Sequence, residues 1–97
     1  MHDPNTAYEL LKARLDRGGM SVPVPLENYW RQRIDAAVQE LTGKGIHLTD
    51  AADDSVLIAD LAAESILSRD KPGHRPEWLR LAIRERWLRE RQADDAD

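Results

Sequence analysis

Apolar residues recur at helical spacing in four stretches of the chain, and none of useful length alternates as a half-buried strand would. The first predicted helix runs from about Thr6 to Arg17. Asn5 or Thr6 supplies its cap, and Gly18-Gly19 stops it because glycine tolerates the left-handed geometry of a helix end. Ala7, Tyr8, Leu11 and Leu15 share one face of this helix, with Leu10 at its edge. A short extended link is expected over 18–25, where Pro23 and Pro25 each push the preceding residue out of the helical region.

The second predicted helix, about Leu26 to Thr42, carries the cleanest stripe. Leu26, Trp30, Ile34, Ala37, Val38 and Leu41 fall within an arc of roughly 120°, with Arg31, Asp35 and Gln39 opposite. Gly43 and Gly45 end it, and Ile46 and Leu48 are expected to anchor the following turn in the core. A third helix starts among Asp50, Asp53 and Asp54, acidic residues suited to capping free N–H groups and to the helix dipole, and runs to about Arg69. Apolar or small residues surround it almost completely, from Val56 to Leu67, and Asp60 and Glu64 are the main interruption. So narrow a charged strip predicts a central position. After a loop over 70–75, Pro76 suits the first position of a fourth helix, Glu77 to about Arg91, and 92–97 reads as a flexible acidic tail. The expected fold is all-α: one domain over 1–97, a small bundle of about four helices around an apolar third.

Composition agrees with one modest core: 97 residues, 41% hydrophobic and 33% charged. The net charge of −4 argues against a general nucleic-acid binder. The chain has no cysteine, which excludes a disulfide framework, a thiolate zinc site and a cysteine nucleophile. The N-terminus lacks the basic and apolar regions of a signal peptide, and no apolar run approaches the roughly 20 residues of a membrane helix, so a soluble protein is expected.

Candidate chemistry is sparse. His2, His47 and His74 are far apart, in predicted loops or the terminus. Read as a calcium loop starting at Asp50, the sequence has Ser55 where glycine is needed and Leu61 where glutamate is needed. Gly43-Lys44-Gly45 lacks the upstream glycine of a phosphate-binding loop, and no serine sits in a recognisable catalytic motif. No catalytic residue, metal ligand or cofactor site is therefore expected, and the chain is read as non-enzymatic. The fourth helix is the informative element. Arg80, Arg84 and Arg91 lie within about 40° of one another on its wheel. Its apolar residues fall into three sectors: Leu79, Ile83 and Trp87; Trp78 and Ala82; Leu81 and Leu88. One sector can dock on this chain's own core, and the others are left for a partner. Tryptophan and arginine are enriched at interface hot spots. Arg75, Trp78, Arg80, Arg84, Trp87 and Arg91 are therefore the candidate partner or subunit interface. Arg86 and Arg89 point elsewhere on the wheel.

Several strings resemble the small head–tail connector (adaptor) proteins of tailed bacteriophages and prophages. They are Ile34-Asp35-Ala36-Ala37; Gly45-Ile46-His47-Leu48; the pair Asp53-Asp54 before a long alanine-rich helix ending Ser68-Arg69-Asp70-Lys71-Pro72; and Pro76-Glu77-Trp78-Leu79-Arg80 opening an arginine-rich last helix. The resemblance spans about Tyr8 to Arg91. It implies a ring of about a dozen copies that docks on a portal protein, extends the DNA channel and supports a stopper or tail protein. DNA would be met only as it passes through the channel. The implied location is the head–tail junction of the virion, with the bacterial host cytoplasm during assembly; no cofactor and no membrane are implied. The alternative from the residues alone is a small helical nucleic-acid-binding regulator using the arginines of the fourth helix. Against it, Pro76-Glu77-Trp78-Leu79 offers no base-edge donor at that helix's start.

Overall fold

A computed structural model describes residues 3–18, 20–68 and 75–95. Four helices follow in order: α1 (Pro4–Arg14), α2 (Val24–Gly43), α3 (Ala52–Leu67) and α4 (Glu77–Asp95), with no strand among the described residues. The all-helical reading of the sequence is the architecture found.

Helix ends differ from expectation for identifiable reasons. α1 begins at Pro4, before the expected Thr6, because Asp3 supplies the cap: its Oδ1 accepts from the Asn5 N–H at 2.9 Å. It also ends before Gly18. Asp16 takes the left-handed conformation at φ 61°, Asp16 N–H donates to Ala13 O, and Arg17 N–H donates to Lys12 O. Aspartate tolerates this geometry better than most residues, so no glycine is needed at that turn. Val24 and Pro25, assigned to the extended link, are already the first residues of α2, where a proline costs no hydrogen bond. At the other end of α2, Gly45 (φ 91°) takes the left-handed position. There Gly45 N–H donates to Thr42 O and Ile46 N–H to Leu41 O, which carries Ile46 down onto the core. Residues 92–95 continue α4, where the sequence reading begins a tail. The rest of that tail, 96–97, lies outside the described residues, as do Arg69, the loop residues 70–74, His2 and Gly19.

α3 packs against all three other helices, and α1 and α2 also pack on each other. The core joins Ala7, Tyr8 and Leu11 of α1, Trp30, Ile34, Ala37 and Leu41 of α2, and Leu57, Ile58, Leu61, Ala62 and Ala63 of α3. Ile46 and Leu48 are buried as the anchors of the α2–α3 turn, and Leu79 and Ile83 bring α4 in. Full burial of a leucine or isoleucine contributes about 1.5–3 kcal/mol. α4 adds only two such side chains, so its seat depends on something else.

Candidate functional site

That something is polar. Arg86, which the wheel placed off the face shared by Arg80, Arg84 and Arg91, is 9% exposed. Its Nε donates to Asp54 Oδ1 at 2.7 Å, and one terminal nitrogen donates to Asp54 Oδ2 (3.3 Å) and to the His47 carbonyl (2.7 Å). The other terminal nitrogen donates to Glu90 Oε1 at 3.0 Å. Asp54, 2% exposed, also accepts from the Thr49 N–H and hydroxyl. Glu90 in turn accepts the His47 N–H at 2.9 Å and contacts His47 Nδ1 at 2.9 Å.

Asp54 therefore does not cap its helix as expected. The residue preceding α3 is Ala51, which has no side-chain cap bond, and Asp54 instead joins the α2–α3 turn to α4. His47 is an exposed loop histidine, as expected, and it also brings its carbonyl, its N–H and its ring to the same network. Burial pushes the Asp54 carboxyl up, but the hydrogen bonds from Arg86 and Thr49 more than offset this and hold it below its ordinary value. The hydrogen bonds from the His47 ring and N–H, reinforced by Arg86, hold Glu90 down at about 2. Donating to the Asp54 carboxylate raises Arg86 above its ordinary value. Every ionised group here is paired, so the cluster locks α4 in place and offers no spare group to a reactant.

With Arg86 and Glu90 turned inward, the other faces of α4 point out. Arg75, Arg80, Ile83, Arg84 and Trp87, with Lys44 from the end of α2, line a groove of about 460 Å³. Four of the six residues singled out from the sequence thus meet in one place, and Lys44 is the member that sequence reasoning missed. It reaches the groove because the turn at Gly45 brings the end of α2 beside α4, a tertiary fact without a local signature. Arg75 is held by its own chain, with two parallel hydrogen bonds to Glu40 at 2.7 and 3.0 Å. Those bonds hold Glu40 below its ordinary value. Arg80 and Arg84 are exposed and make no ion pair among the described residues. Trp87, partly buried against the core, forms the apolar wall with Ile83, and the Arg91 guanidinium lies 5.1 Å from the Trp87 ring.

Trp78 does not join this groove. It lies 46% exposed, with the Arg14 guanidinium 5.9 Å from its ring. Leu81 (51% exposed) and Leu88 (40%) also face out, so α4 carries apolar side chains that the described residues do not cover. A second concavity, about 570 Å³, lies between α3 and α4 over Val56, Leu57, Ala82 and Leu88, with Asp53, Asp60, Glu85 and Arg89 on its rim. No set of three His, Asp or Glu residues is placed to hold a metal ion among the described residues. No helix is long and apolar enough to cross a membrane among them. The chain matches no family model, no curated protein and no solved structure.

Proposed function

We propose that this protein is a non-catalytic assembly module that works through α4, and that its role is that of a phage head–tail connector. In this reading copies form a ring on a portal protein, and a stopper or tail protein binds the opposite side. DNA meets the ring only in passing. Its place is the head–tail junction of the virion, after assembly in the host cytoplasm. The observation that carries the reading is the basic groove: Arg80 and Arg84 stand unpaired among the described residues, beside Trp87 and Lys44, on a helix whose inward face is already satisfied. Arginine and tryptophan on a rigid helix are the composition of an interface hot spot, and exposed Trp78, Leu81 and Leu88 widen the contact. The sequence strings that resemble the connector family supply the specific role.

Replacing Arg80 and Arg84 together by glutamate tests it. Both side chains are exposed and make no ion pair among the described residues, so the fold should persist by circular dichroism and stability should stay within about 1 kcal/mol of wild type. Capture of the chain by a candidate portal protein should be lost, because reversed charges across an interface cost several kcal/mol. Normal capture by the variant would leave this face as plain solvated surface.

A further inference from the structure

The outward strip of α4 carries both signs of charge around an apolar ridge. Leu79, Ile83, Arg86 and Glu90 face inward, and the helical period sets Leu81 and Leu88 diametrically opposite them. These two leucines, roughly 10 Å apart along the axis, form the ridge. One edge of it is basic, with Arg84 and, a turn earlier, Arg80. The other edge carries Glu85, roughly 100° around the helix from Arg84. Arg80, Arg84 and Glu85 are exposed, and none makes an ion pair among the described residues. On the rim of the α3–α4 concavity beside Glu85, Asp53 pairs with Arg89 and Asp60 faces Arg14 at 3.6 Å. Glu85 is the anion left over on that side.

Arg84 and Glu85 do not satisfy each other, because successive residues of a helix point to different sides. A purely acidic partner would match the basic edge and repel Glu85, and a purely basic one would do the reverse. A surface that suits the whole strip presents a basic edge, an apolar ridge and an acidic edge in that order, and α4 itself is such a surface. Charge also sets the direction. Two copies of the strip placed ridge to ridge and antiparallel set Arg84 beside Arg84 and Glu85 beside Glu85. With the helices parallel, Arg84 of one copy lies beside Glu85 of the other, offset by a single residue's rise of about 1.5 Å.

We infer that α4 packs parallel to α4 of a second copy, with Leu81 and Leu88 at the seam and the Arg84 edge of one copy against Glu85 of the other. The inference rests on the reading of α4 as an assembly surface and names what meets its outward ridge. The leucines exclude water beside the ion pairs, which strengthens them relative to pairs in open solvent. In a ring, a contact that uses one edge of each copy leaves the opposite edge for the next neighbour.

Three full-length variants test the contact: Arg84→Glu, Glu85→Arg, and the exchange of both charges in one chain. All change exposed positions, and circular dichroism checks that each is folded. In sedimentation velocity at low ionic strength the wild type should self-associate. Each single variant sets like charges against each other at the seam and should associate at least about tenfold more weakly. An equal mixture of the two single variants should recover association, because the position-84 glutamate of one faces the position-85 arginine of the other. The exchanged variant should recover it alone. If the single variants fail and neither the mixture nor the exchange rescues them, the two edges do not meet, and the inference falls while α4 remains an assembly surface. Single variants that associate like wild type, or a wild type monomeric at about 1 mM, also overturn it. In either case capture by the portal protein still decides the reading of α4 independently.

Discussion

Arg86 and Arg89 lie three residues apart on α4, facing Asp54 and Asp53, neighbours on α3. Their surroundings make them opposites. The Arg86–Asp54 side chains are 11% and 3% exposed, those of Arg89–Asp53 57% and 60%. Removing one partner from a buried pair leaves an uncompensated charge and costs about 3–5 kcal/mol, whereas an exposed pair is worth under about 1 kcal/mol. Arg86→Ala is therefore expected to destabilise the protein by roughly 3–5 kcal/mol, and Arg89→Ala by less than about 1 kcal/mol. Urea unfolding of the two variants checks this; equal losses would mean that Asp54 finds another partner or water. The wheel missed Arg86 because a hydrophobic pattern counts only apolar residues. Its position was nonetheless legible, since Leu79, Ile83, Arg86 and Glu90 repeat at helical spacing on one face. An aspartate at the start of the apolar α3 was the complementary signal.

At the scale of the element, α4 is the least secured of the four helices. α1, α2 and α3 bury one another's apolar stripes, while α4 rests on Leu79, Ile83 and the Arg86 network. Two carboxyls of that network, Asp54 and Glu90, lie below their ordinary values, Glu90 at about 2. A depressed carboxyl contributes stability that is present above its unfolded value and lost as pH falls through its folded value. The ordinary values are 3.8 for Asp54 and 4.5 for Glu90, so the loss begins near pH 4.5 and continues toward pH 2. Glu40, held down by Arg75, adds to it, whereas burial raises the Asp60 carboxyl and so acts in the opposite sense. Acidification through this window is expected to release α4 ahead of the α1–α3 core. Hydrogen exchange at pH 3 should show α4 amides losing protection first, with those of Leu57–Ala63 last. Simultaneous loss throughout would mean that α4 is as firmly seated as the core.

For the molecule as a whole, charge separates two kinds of partner. The net charge is −4, and the positive groove occupies one side of α4. Its arginines can meet phosphates, but the opening of α4 offers no side chain suited to reading bases. Duplex DNA is therefore expected to bind weakly, without sequence preference, and to be released by salt as counterions return. Fluorescence anisotropy with unrelated duplexes at low and physiological salt measures this. Sub-micromolar binding to one sequence at physiological salt would favour a regulator over a connector.

Amphipathic periodicity was enough to locate four helices and most of the core, because each stripe needs only its own local spacing to be read. Trp30, Ile34, Ala37 and Leu41 are buried as their stripe requires, and so are Ala7, Tyr8 and Leu11. Proline and glycine marked the connections, although Asp3 and Asp16 set the ends of α1 by a different chemistry and Pro25 opens α2 instead of extending the link. The seat of α4 was decided only in three dimensions. A charged residue can be buried only where opposite charges from elsewhere in the chain satisfy it, and Asp54, His47 and Arg86 are brought together by the turn between α2 and α3. The same turn carries Lys44 to Arg80 and Arg84. The arginines were visible in the sequence; that they line a groove depends on which face of α4 the buried network turns inward.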